Sequence, residues 1–449
     1  MVNPQAARSS GSARPGTTVV ILAAGKGQRM RNALPKVLHP LCGRTMLGWV
    51  VEQALGLEPE RIVLVVGHGA DEVVEHGREL AGDVPLEVRV QEPQLGTGHA
   101  LQVAADAIPS DAQRVVVLYG DMPLLGAESL ERLVAEQAAG GAGASALLTA
   151  RFDNPPGYGR ILRDAQGVFE AIVEQKDATP EQRLIDEVNL GVYSFDGATL
   201  LENLPRLTND NAQGEYYLTD LLGLAVAAGK PVRVVTVEDT SEGQGVNTLS
   251  QLADARSSMQ MRILEGHLAA GVQIEDPNTT FIGCFVTIGA GTKIFPCTLI
   301  EGEVAIGEGC EVGPFARLRT GTVLEDGAQI GNFTECKQTT MGPGSKAKHL
   351  TYLGNTQVGA RANIGAGTIF ANYDGTHKHT TVVGERAFIG SGTIIVAPNE
   401  IAAGCTTGAG AVVTRKARTE QGETWVGMPA RRLRTGDSKS QTDPDRDNR

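Results

Sequence analysis

The sequence predicts two architectures in one chain: an α/β domain with a mostly parallel sheet, and behind it a left-handed parallel β-helix of hexapeptide repeats. Two observations lead to this prediction. In the N-terminal half, β-branched runs alternate with helix-like stretches, which is typical of α/β domains. In the C-terminal third, apolar residues recur at every sixth position, a period that neither helices nor ordinary strands need. The 449 residues are also too many for one ordinary core.

The apolar residues of the repeat keep a strict register. The longest run covers nine positions: Ile288, Ile294, Ile300, Ile306, Val312, Leu318, Leu324, Ile330 and Cys336. Two shorter runs follow after breaks: Val358, Ile364 and Phe370, and then Val383, Ile389, Ile395, Ile401, Thr407 and Val413. Each six-residue unit of such a coil is a short strand plus a corner, with the apolar residue inside. We expect an insertion at Met341–Tyr352, where the register first breaks.

The α/β part begins with Thr17–Ala24, a β-branched run suited to a buried parallel strand. It leads into a glycine turn that carries cations, Gly25-Lys26-Gly27-Gln28-Arg29-Met30. Backbone N–H groups point outward at such turns, so a strand, a glycine turn and a helix together form a general device for holding phosphate. The turn matches neither the dinucleotide fingerprint nor the GKS/GKT phosphate loop.

Further strands and helices alternate behind this turn. The predicted strands are 61–66, 86–91, 114–118 and 145–149, and 127–139 is one of the predicted helices. Ligands of such sheets lie beyond the carboxyl ends of the strands. The glycine turn and Tyr119-Gly120-Asp121 both fall at such ends.

A helix is predicted to connect the two architectures. Thr248, with Gln251 three positions on, resembles a capping box, and apolar residues then recur at helical spacing as far as Gly271. The predicted segments are a disordered tail at 1–17, the α/β domain at 18–247, the helix at 248–270, the coil at 271–436 and a disordered tail at 437–449.

Composition limits the partners. A net charge of −12 argues against a nucleic-acid surface, which would need a basic stripe. No apolar stretch reaches the ~18–20 residues that cross a bilayer, and the N-terminus has no apolar core of a secretory signal. The six cysteines show no paired, metal-type spacing. We therefore expect a cytoplasmic protein with neither a nucleic acid nor a membrane as partner.

The glycine turn, with Pro35-Lys36 downstream, resembles the signature of the sugar-1-phosphate nucleotidyltransferases, whose domain is Rossmann-like. These enzymes join a nucleoside triphosphate to a sugar phosphate and release pyrophosphate. Further motifs narrow the resemblance: QEPQLGTGHA at 91–100, GYGR at 157–160, VEQKD at 173–177, NLG at 189–191 and GVN at 245–247. With the coil, they make residues 18–429 similar to the family of bifunctional N-acetylglucosamine-1-phosphate uridyltransferases/glucosamine-1-phosphate acetyltransferases.

In the α/β domain the resemblance implies a site for UTP and UDP-N-acetylglucosamine. Its residues would be Leu22, Ala23, Ala24, Gly25, Lys36, Gln91, Gly96, Thr97, Tyr119, Gly120, Asp121, Gly159, Glu174, Asn189 and Asn247. Gln91, Gly96 and Thr97 would hold the uracil end, and Gly159, Glu174 and Asn189 the amino-sugar. Arg29 and Lys36 would balance the charge that develops as the sugar phosphate attacks the α-phosphorus in line.

The resemblance also implies that Asp121 and Asn247 bind Mg2+, a cation that usually takes only one or two protein ligands. Two departures from the family pattern stand at Gln28 and Leu190, where Thr is common. Neither departure removes a charge or a metal ligand, so the assignment of this site is little affected.

In the coil the resemblance makes His349 the base that removes a proton from the attacking amine. A histidine with a pKa near 6.5 suits this task at neutral pH. The sugar-phosphate residues would be Arg319, Lys337, Tyr352 and Asn363, and the acetyl-coenzyme A residues Ala366, Asn372, Tyr373, Ser391 and Ala409. Asn372 and Tyr373 would also border the sugar. Gly427 departs from the family, which often has Arg there, so a cation for the coenzyme A phosphates would either be missing or be supplied by Arg431 or Arg432.

The implied activity is bifunctional. Glucosamine-1-phosphate would be acetylated from acetyl-coenzyme A, and N-acetylglucosamine-1-phosphate would then react with UTP to give UDP-N-acetylglucosamine for cell-envelope polymers. The resemblance implies a homotrimer, and flat apolar coil faces would favour association. One alternative is a single-activity nucleotidyltransferase whose coil only holds an oligomer together. Another is a zinc lyase of the carbonic anhydrase type, with His349, His377 and His379 as ligands.

Overall fold

The computed structural model describes residues 16–433 apart from 26, 32, 68, 69, 154 and 156. Lys26 of the glycine turn therefore lies outside the described residues, as do the predicted tails except for Gly16 and Thr17. The chain divides into two compact units between Met259 and Gln260. No helix in the described part is long and apolar enough to cross a membrane.

The first unit alternates strands with helices around one sheet. In chain order its elements are β1 (Thr17–Ala23), β2 (Pro40–Leu41), β3 (Arg44–Thr45), α1 (Met46–Gly56), β4 (Arg61–Val66), α2 (Asp71–Ala81), β5 (Leu86–Val90), α3 (Thr97–Ala104), β6 (Arg114–Tyr119), α4 (Ala127–Ala139), β7 (Ser145–Arg151), β8 (Arg160–Arg163), β9 (Phe169–Val173), β10 (Glu187–Asp196), α5 (Gly197–Asn203), α6 (Asp220–Ala227) and β11 (Val232–Thr236). The predicted strands and the predicted helix at 127–139 are all present.

The main path of this sheet has the order β11-β7-β10-β6-β1-β4-β5. Its pairings are parallel except those of β10, which runs antiparallel to β6 and β7. The predicted mostly parallel α/β sheet is thus confirmed. Strand β1 is buried throughout: Val19 and Ile21 pack in the core on one face of the sheet, and Val20 and Leu22 pack on the other. Burial on both faces explains its unbroken β-branched run.

Helix α7 (Leu249–Ala269) follows the first unit's sheet and contains the division between the two units. Its first turn is capped as the sequence predicted, because Thr248 Oγ1 accepts a hydrogen bond from Gln251 N at 3.2 Å. Gln251 Oε1 in turn accepts the backbone N–H of Asn247 at 2.8 Å. The cap therefore fixes the residue that precedes Thr248 as well as the helix itself.

The second unit is a coil of short strands. They are β12 (Gln273–Ile274), β13 (Phe281–Ile282), β14 (Val286–Ile288), β15 (Lys293–Ile294), β16 (Leu299–Ile300), β17 (Val304–Ile306), β18 (Glu311–Val312), β19 (Arg317–Leu318), β20 (Thr322–Leu324), β21 (Gln329–Asn332), β22 (Glu335–Met341), β23 (Lys346–His349), β24 (Tyr352–Val358), β25 (Asn363–Ile364), β26 (Ile369–Ala371), β27 (Thr381–Val383), β28 (Phe388–Ile389), β29 (Ile394–Val396), β30 (Asn399–Ile401), β31 (Thr406–Thr407), β32 (Val412–Val413), β33 (Thr424–Val426) and β34 (Arg431–Arg432).

Strands one turn apart in the coil pair in parallel, and most turns contain 18 residues. Ile294 pairs with Val312, which pairs with Ile330, and all three side chains are buried in one core. Every sixth residue therefore points inward, as the repeat predicted. The predicted parallel β-helix is confirmed.

The prediction of an insertion at Met341–Tyr352 is wrong. Leu324 pairs with Met341, and Met341 pairs with Val358, so two successive turns contain 17 residues instead of 18. Each of these turns is one residue short, and Met341 fills the core without a loop. The insertion instead lies before Val383, which pairs with Val358 across 25 positions.

Candidate functional site

The residues predicted to hold the nucleotide lie around one cleft at the carboxyl ends of β1 and β6. The cleft has a volume of about 310 Å³, and its predicted lining residues are Leu22, Ala23, Ala24, Gly25, Lys36, Gln91, Gly96, Thr97, Tyr119 and Asp121. Gly120 is not in the lining, and its N–H donates to Leu22 O at 2.9 Å. The parallel pairing of Leu22 with Tyr119 brings these strand ends together.

A second cavity of about 520 Å³ joins the first. Arg29 and the predicted amino-sugar residues Gly159, Glu174 and Asn189 line it, as does Asn247. The two cavities share part of their lining, namely Thr97, Tyr119, Asp121 and Glu215. The residues predicted for the nucleotide and those predicted for the sugar thus line adjoining parts of one cleft, and Asp121 lines both parts.

Lys36 connects the two predicted magnesium ligands. Its Nζ lies 2.5 Å from Asp121 Oδ2 and 3.0 Å from Asn247 Oδ1. Both oxygens therefore face one cationic point, and two hard oxygen donors are a set that suits Mg2+. The backbone supports this arrangement, because Val246 N donates to Asp121 O at 2.9 Å. The residues present fit the metal that the sequence implied.

Two glycines are required by close approaches at this cleft. Gly27 has φ +59, and a side chain there would lie 2.8 Å from Cβ of Lys36. Gly96 has φ +103, and a Cβ there would lie 2.6 Å from Tyr216 O. The first glycine lets the turn pack against Lys36, and the second lets the segment around Tyr216 close over the nucleotide cavity.

Glu174 is a half-buried carboxyl group in the second cavity. Its Oε1 accepts a hydrogen bond from the Thr219 hydroxyl at 3.2 Å. Burial raises the pKa of Glu174 above that of an ordinary glutamate; the Thr219 contact opposes this effect, and the nearby Asp220 adds to it. Because its pKa is raised, Glu174 takes up a proton more readily than an ordinary glutamate. In its ionised form it can accept hydrogen bonds from hydroxyl groups.

Asn189 and Gln91 are held in place by internal contacts. Asn189 Nδ2 donates to the Tyr193 hydroxyl at 2.7 Å, and Asn189 Oδ1 accepts from Gly191 N at 3.1 Å. Gln91 Nε2 donates to Gly96 O at 2.9 Å. Both amide side chains therefore have defined orientations before any ligand binds.

In the coil, four predicted residues stack at one corner in successive turns. His349 O accepts from Gly367 N at 3.3 Å, Ala366 O accepts from Gly392 N at 2.7 Å, and Ser391 O accepts from Gly410 N at 2.8 Å. His349, Ala366, Ser391 and Ala409 thus form one column. The last three are each followed by a glycine with positive φ, which leaves room along this edge. The column suits an extended ligand that ends at His349.

Arg319 and Lys337, which were predicted to bind the sugar phosphate, lie near each other, and the Lys378 side chain contacts Lys337. Arg319 donates to Glu335 at 2.9 Å. Contact with Lys378, and then the charges of Lys378 and Arg319, lower the pKa of Lys337. Like charges repel, so this group of cations would gain from a bound phosphate.

Tyr352 and Asn372 meet over Gly354. A Cβ at Gly354 would lie 2.6 Å from both Tyr352 Oη and Asn372 Nδ2. Tyr373 follows on the inserted loop and is exposed. Asn363 lies on β25 and belongs to a different ladder from Tyr352, so strand pairing does not join these two residues.

His349, His377 and His379 do not form a shared metal site. His379 Nε2 lies 2.6 Å from Asp374 Oδ2. Backbone hydrogen bonds from the inserted loop, and then His379, hold the pKa of Asp374 well below its usual range. Among the described residues, no three His, Cys, Asp or Glu side chains converge to hold a metal ion. The zinc-lyase alternative therefore has no geometric support.

Comparison with known proteins gives relatives over most of the chain. Residues 19–188 match the family model of the MobA-like NTP transferase domain. The bifunctional protein GlmU of Trichlorobacter lovleyi is 44% identical over 433 residues, which cover 89% of this chain and 93% of the relative. Those of Stutzerimonas stutzeri and Alkalilimnicola ehrlichii are 45% and 46% identical over 88% and 90% of this chain, and over 93% and 92% of their own lengths.

The chain belongs to the GlmU family of bifunctional enzymes. It is a transferase with a nucleotidyltransferase unit and an acetyltransferase coil, as the motifs predicted, and it takes nucleotide, sugar-phosphate and acetyl-coenzyme A substrates. The two-activity interpretation is thereby favoured over a coil that serves only to join subunits.

Sequence reasoning missed one wall of the nucleotidyltransferase cleft. This wall is formed by residues 209–220, none of which was predicted. The side of the second cavity is lined by Gln213, Glu215, Tyr217 and Thr219. The Tyr216 carbonyl accepts a hydrogen bond from Gly98 N. The signal was present as two adjacent tyrosines beside a glycine in a polar stretch. In the coil, Lys378 was missed because it lies on the inserted loop, outside the repeat.

Proposed function

We propose that the first unit joins UTP to N-acetylglucosamine-1-phosphate at the cleft shared by Asp121 and Asn247. The observation that carries this proposal is the position of Lys36, whose ammonium binds both oxygens. Asp121 and Asn247 would hold Mg2+, which when bound neutralises charge on the triphosphate oxygens. Lys36 would supply a further positive charge beside the metal, toward the triphosphate.

The remaining cleft residues position the two substrates. Backbone N–H groups of the turn after β1 bind phosphate, and Arg29 faces the sugar-phosphate side of the cleft. Gln91, Gly96 and Thr97 hold the uracil end. Glu174 and Asn189 bind the amino-sugar. The phosphate oxygen of the sugar attacks the α-phosphorus, the bond to the β-phosphate oxygen breaks, and pyrophosphate leaves.

We infer that the coil acetylates glucosamine-1-phosphate before this step. The amine attacks the thioester carbonyl, His349 removes its proton, and coenzyme A leaves as the thiol after the tetrahedral intermediate collapses. Arg319, Lys337 and Lys378 bind the sugar phosphate. Acetyl-coenzyme A lies along the column of Ala366, Ser391 and Ala409, whose glycine neighbours leave space for it.

The coil surface supports a homotrimer. Phe315 and Phe333 stack with their ring centroids 5.3 Å apart, and Leu350 follows at the same corner one turn on. The three side chains are 50–60% exposed and have φ angles of 52° to 55°. An L-residue in this conformation costs about 1–2 kcal/mol. Large apolar side chains kept at such a cost would gain from contact with a second copy of the coil.

A cytoplasmic location is also proposed. Cys297, Cys310, Cys336 and Cys405 of the coil form no disulfide, and the last three are buried. A reducing compartment keeps thiols in this state. Fractionation of cells that express the chain would test the location, and sedimentation of the purified protein at three times the mass of one chain would support the trimer.

The decisive experiment uses one purified sample for both reactions. We expect pyrophosphate release with UTP and N-acetylglucosamine-1-phosphate only when Mg2+ is present, and free thiol release with acetyl-coenzyme A and glucosamine-1-phosphate without it. If acetyl-coenzyme A is not consumed, the coil is only a structural module. If pyrophosphate release does not depend on a divalent cation, the role given to Asp121 and Asn247 is wrong.

A further inference from the structure

Glu242 is a buried carboxylate close to the nucleotidyltransferase cleft, and the proposed mechanism does not use it. Only 8% of the residue is exposed. Its Oε2 accepts the backbone N–H of Gly126 at 2.7 Å, and its Oε1 accepts the Ser129 hydroxyl at 3.0 Å. Gly126 and Ser129 stand at the start of α4, where the helix dipole favours a negative charge. Glu242 therefore ties its own segment to that helix.

This contact joins the two segments that carry the proposed magnesium ligands. Asp121 lies five positions before Gly126, and Asn247 lies five positions after Glu242. At one end the segments are linked by Val246 N, which donates to Asp121 O at 2.9 Å. At the other end they are linked by Glu242. The segments 121–126 and 242–247, which carry the two ligands, are thus linked to each other at both ends. We call these two linked segments the frame.

The Glu242 link adds to the frame because the chain between it and the ligand has little rigidity of its own; the Tyr158 hydroxyl, which donates to Gly243 O at 3.3 Å, is a further contact to this stretch. Gly243 and Gly245 are two of the three residues between Glu242 and Val246, and glycine restricts the backbone least. Beyond the ligand, Gln251 Oε1 binds Asn247 N at 2.8 Å and fixes that side to α7. Loss of Glu242 would remove the anchor of this segment at α4, while the contacts of Val246 and Gln251 on either side of Asn247 would remain.

We propose that Glu242 is a positioning residue of the uridyltransferase site, which holds the Gly243–Asn247 segment so that Asn247 Oδ1 faces Asp121. The proposal rests on the magnesium site proposed above. It assigns Glu242 no contact with substrate or metal. Its effect reaches the reaction through the distance between two ligands, so it should change the magnesium requirement more than the rate at saturating magnesium.

The test is a Mg2+ titration followed in two ways: as pyrophosphate release at saturating UTP and N-acetylglucosamine-1-phosphate, and as the heat of Mg2+ binding in isothermal titration calorimetry. Glu242→Ala removes both hydrogen bonds to α4. For this variant we expect the half-saturating Mg2+ concentration to rise about tenfold in both measurements, the lower end of the effect of groups that orient metal ligands. The rate at saturating Mg2+ should change much less. Glu238→Ala is the matched control, because Glu238 is an exposed glutamate four positions earlier.

Other variants separate the possible failures. Acetyl-coenzyme A consumption by the same samples reports whether the chain is folded. If Glu242→Ala lowers both activities, Ser129→Ala decides, because it removes one of the two bonds to Glu242. A smaller rise in the half-saturating Mg2+ concentration of Ser129→Ala supports the proposal. An unchanged value in the folded variants overturns it. Asn247→Ala tests the metal site itself: if it leaves the Mg2+ titration unchanged, the proposed function fails and the positioning role fails with it.

Discussion

The Lys36 ammonium and the Asp121 carboxylate lie 2.5 Å apart, although 85 positions of sequence separate the two residues. The side chain of Lys36 is 10% exposed and that of Asp121 is 19% exposed, so solvent screens the pair only in part. The same ammonium contacts Asn247 at 3.0 Å. One cation of the protein thus stands at the point where the proposed metal ligands converge, and it holds their oxygens together.

Asp121→Ala is therefore expected to remove the magnesium-dependent uridylyl step. Pyrophosphate release should fall by about 100-fold or more, the scale of losing one electrostatic group at a reacting centre. Acetyl transfer should be unchanged. Asp111→Ala is a matched control, since Asp111 is an exposed carboxylate of the same unit. Equal loss of both activities would indicate misfolding, and full pyrophosphate release would contradict the metal assignment.

His349→Ala is expected to abolish acetyl transfer, because no other group at the end of β23 is assigned to take the proton of the amine. The side chain of His349 is exposed at the coil surface, so its loss should leave the thermal stability nearly unchanged. The measurement is thiol release from acetyl-coenzyme A, with pyrophosphate release as the internal standard. His377→Ala is the control; a variant of His349 with normal acetyl transfer would remove it from the mechanism.

Lys378→Ala is expected to raise the KM for glucosamine-1-phosphate about tenfold, which is the scale of one charge-assisted hydrogen bond. The turnover number should change less. Lys293→Ala, at an exposed lysine on β15, is the control and should leave KM unchanged. An unchanged KM in Lys378→Ala would mean that the inserted loop does not face the phosphate.

The same variant makes a pH prediction. Lys378 lowers the pKa of Lys337, so in the wild type Lys337 loses its charge at a lower pH than an ordinary lysine would. Removal of Lys378 relieves this repulsion. The alkaline rise in KM should therefore move to higher pH in Lys378→Ala, and a shift to lower pH would contradict the proximity of the two ammonium groups.

Glu174→Gln is expected to weaken sugar binding and to stabilise the fold. Burial raises the pKa of Glu174 in the folded state. Between the ordinary pKa of a glutamate and this raised pKa, the folded protein therefore binds more protons at Glu174 than the unfolded chain does. The free energy of unfolding falls as the pH rises through this range. The ionised group therefore destabilises the fold at neutral pH. Differential scanning calorimetry at pH 7 should show an equal or higher Tm for Glu174→Gln.

Glu174→Gln should weaken substrate binding, although it should stabilise the fold. KM for N-acetylglucosamine-1-phosphate should be higher in Glu174→Gln at pH 7, because an amide accepts more weakly than a carboxylate. In the wild type, KM should rise as pH falls through the raised pKa of Glu174, and in the variant it should stay flat. Glu170→Gln, an exposed position on β9, is the control. A wild-type acidic limb that persists in Glu174→Gln would assign it to another group.

The fold was largely predictable because its signals are local. A period of six identifies the coil, and a β-branched run followed by a glycine turn identifies β1 and its phosphate-binding end. The break at Met341 was also visible, but its nature was not. A shortened turn and an insertion both interrupt the count of six, and only the pairing of Leu324 with Met341 and of Met341 with Val358 distinguishes them.

By itself the sequence determined which positions face the cores, and it predicted which residues carry the chemistry, since apolar periodicity and motif spacing are properties of neighbouring residues. The tertiary structure decided which of these residues meet. Lys36 reaches Asp121 and Asn247, and Lys378 reaches Lys337, because sheet and coil registers bring together side chains far apart in the chain. The support that Glu242 gives to Asn247 is also decided by the tertiary structure. It depends on a buried contact with the start of α4, and no local pattern encodes such a contact.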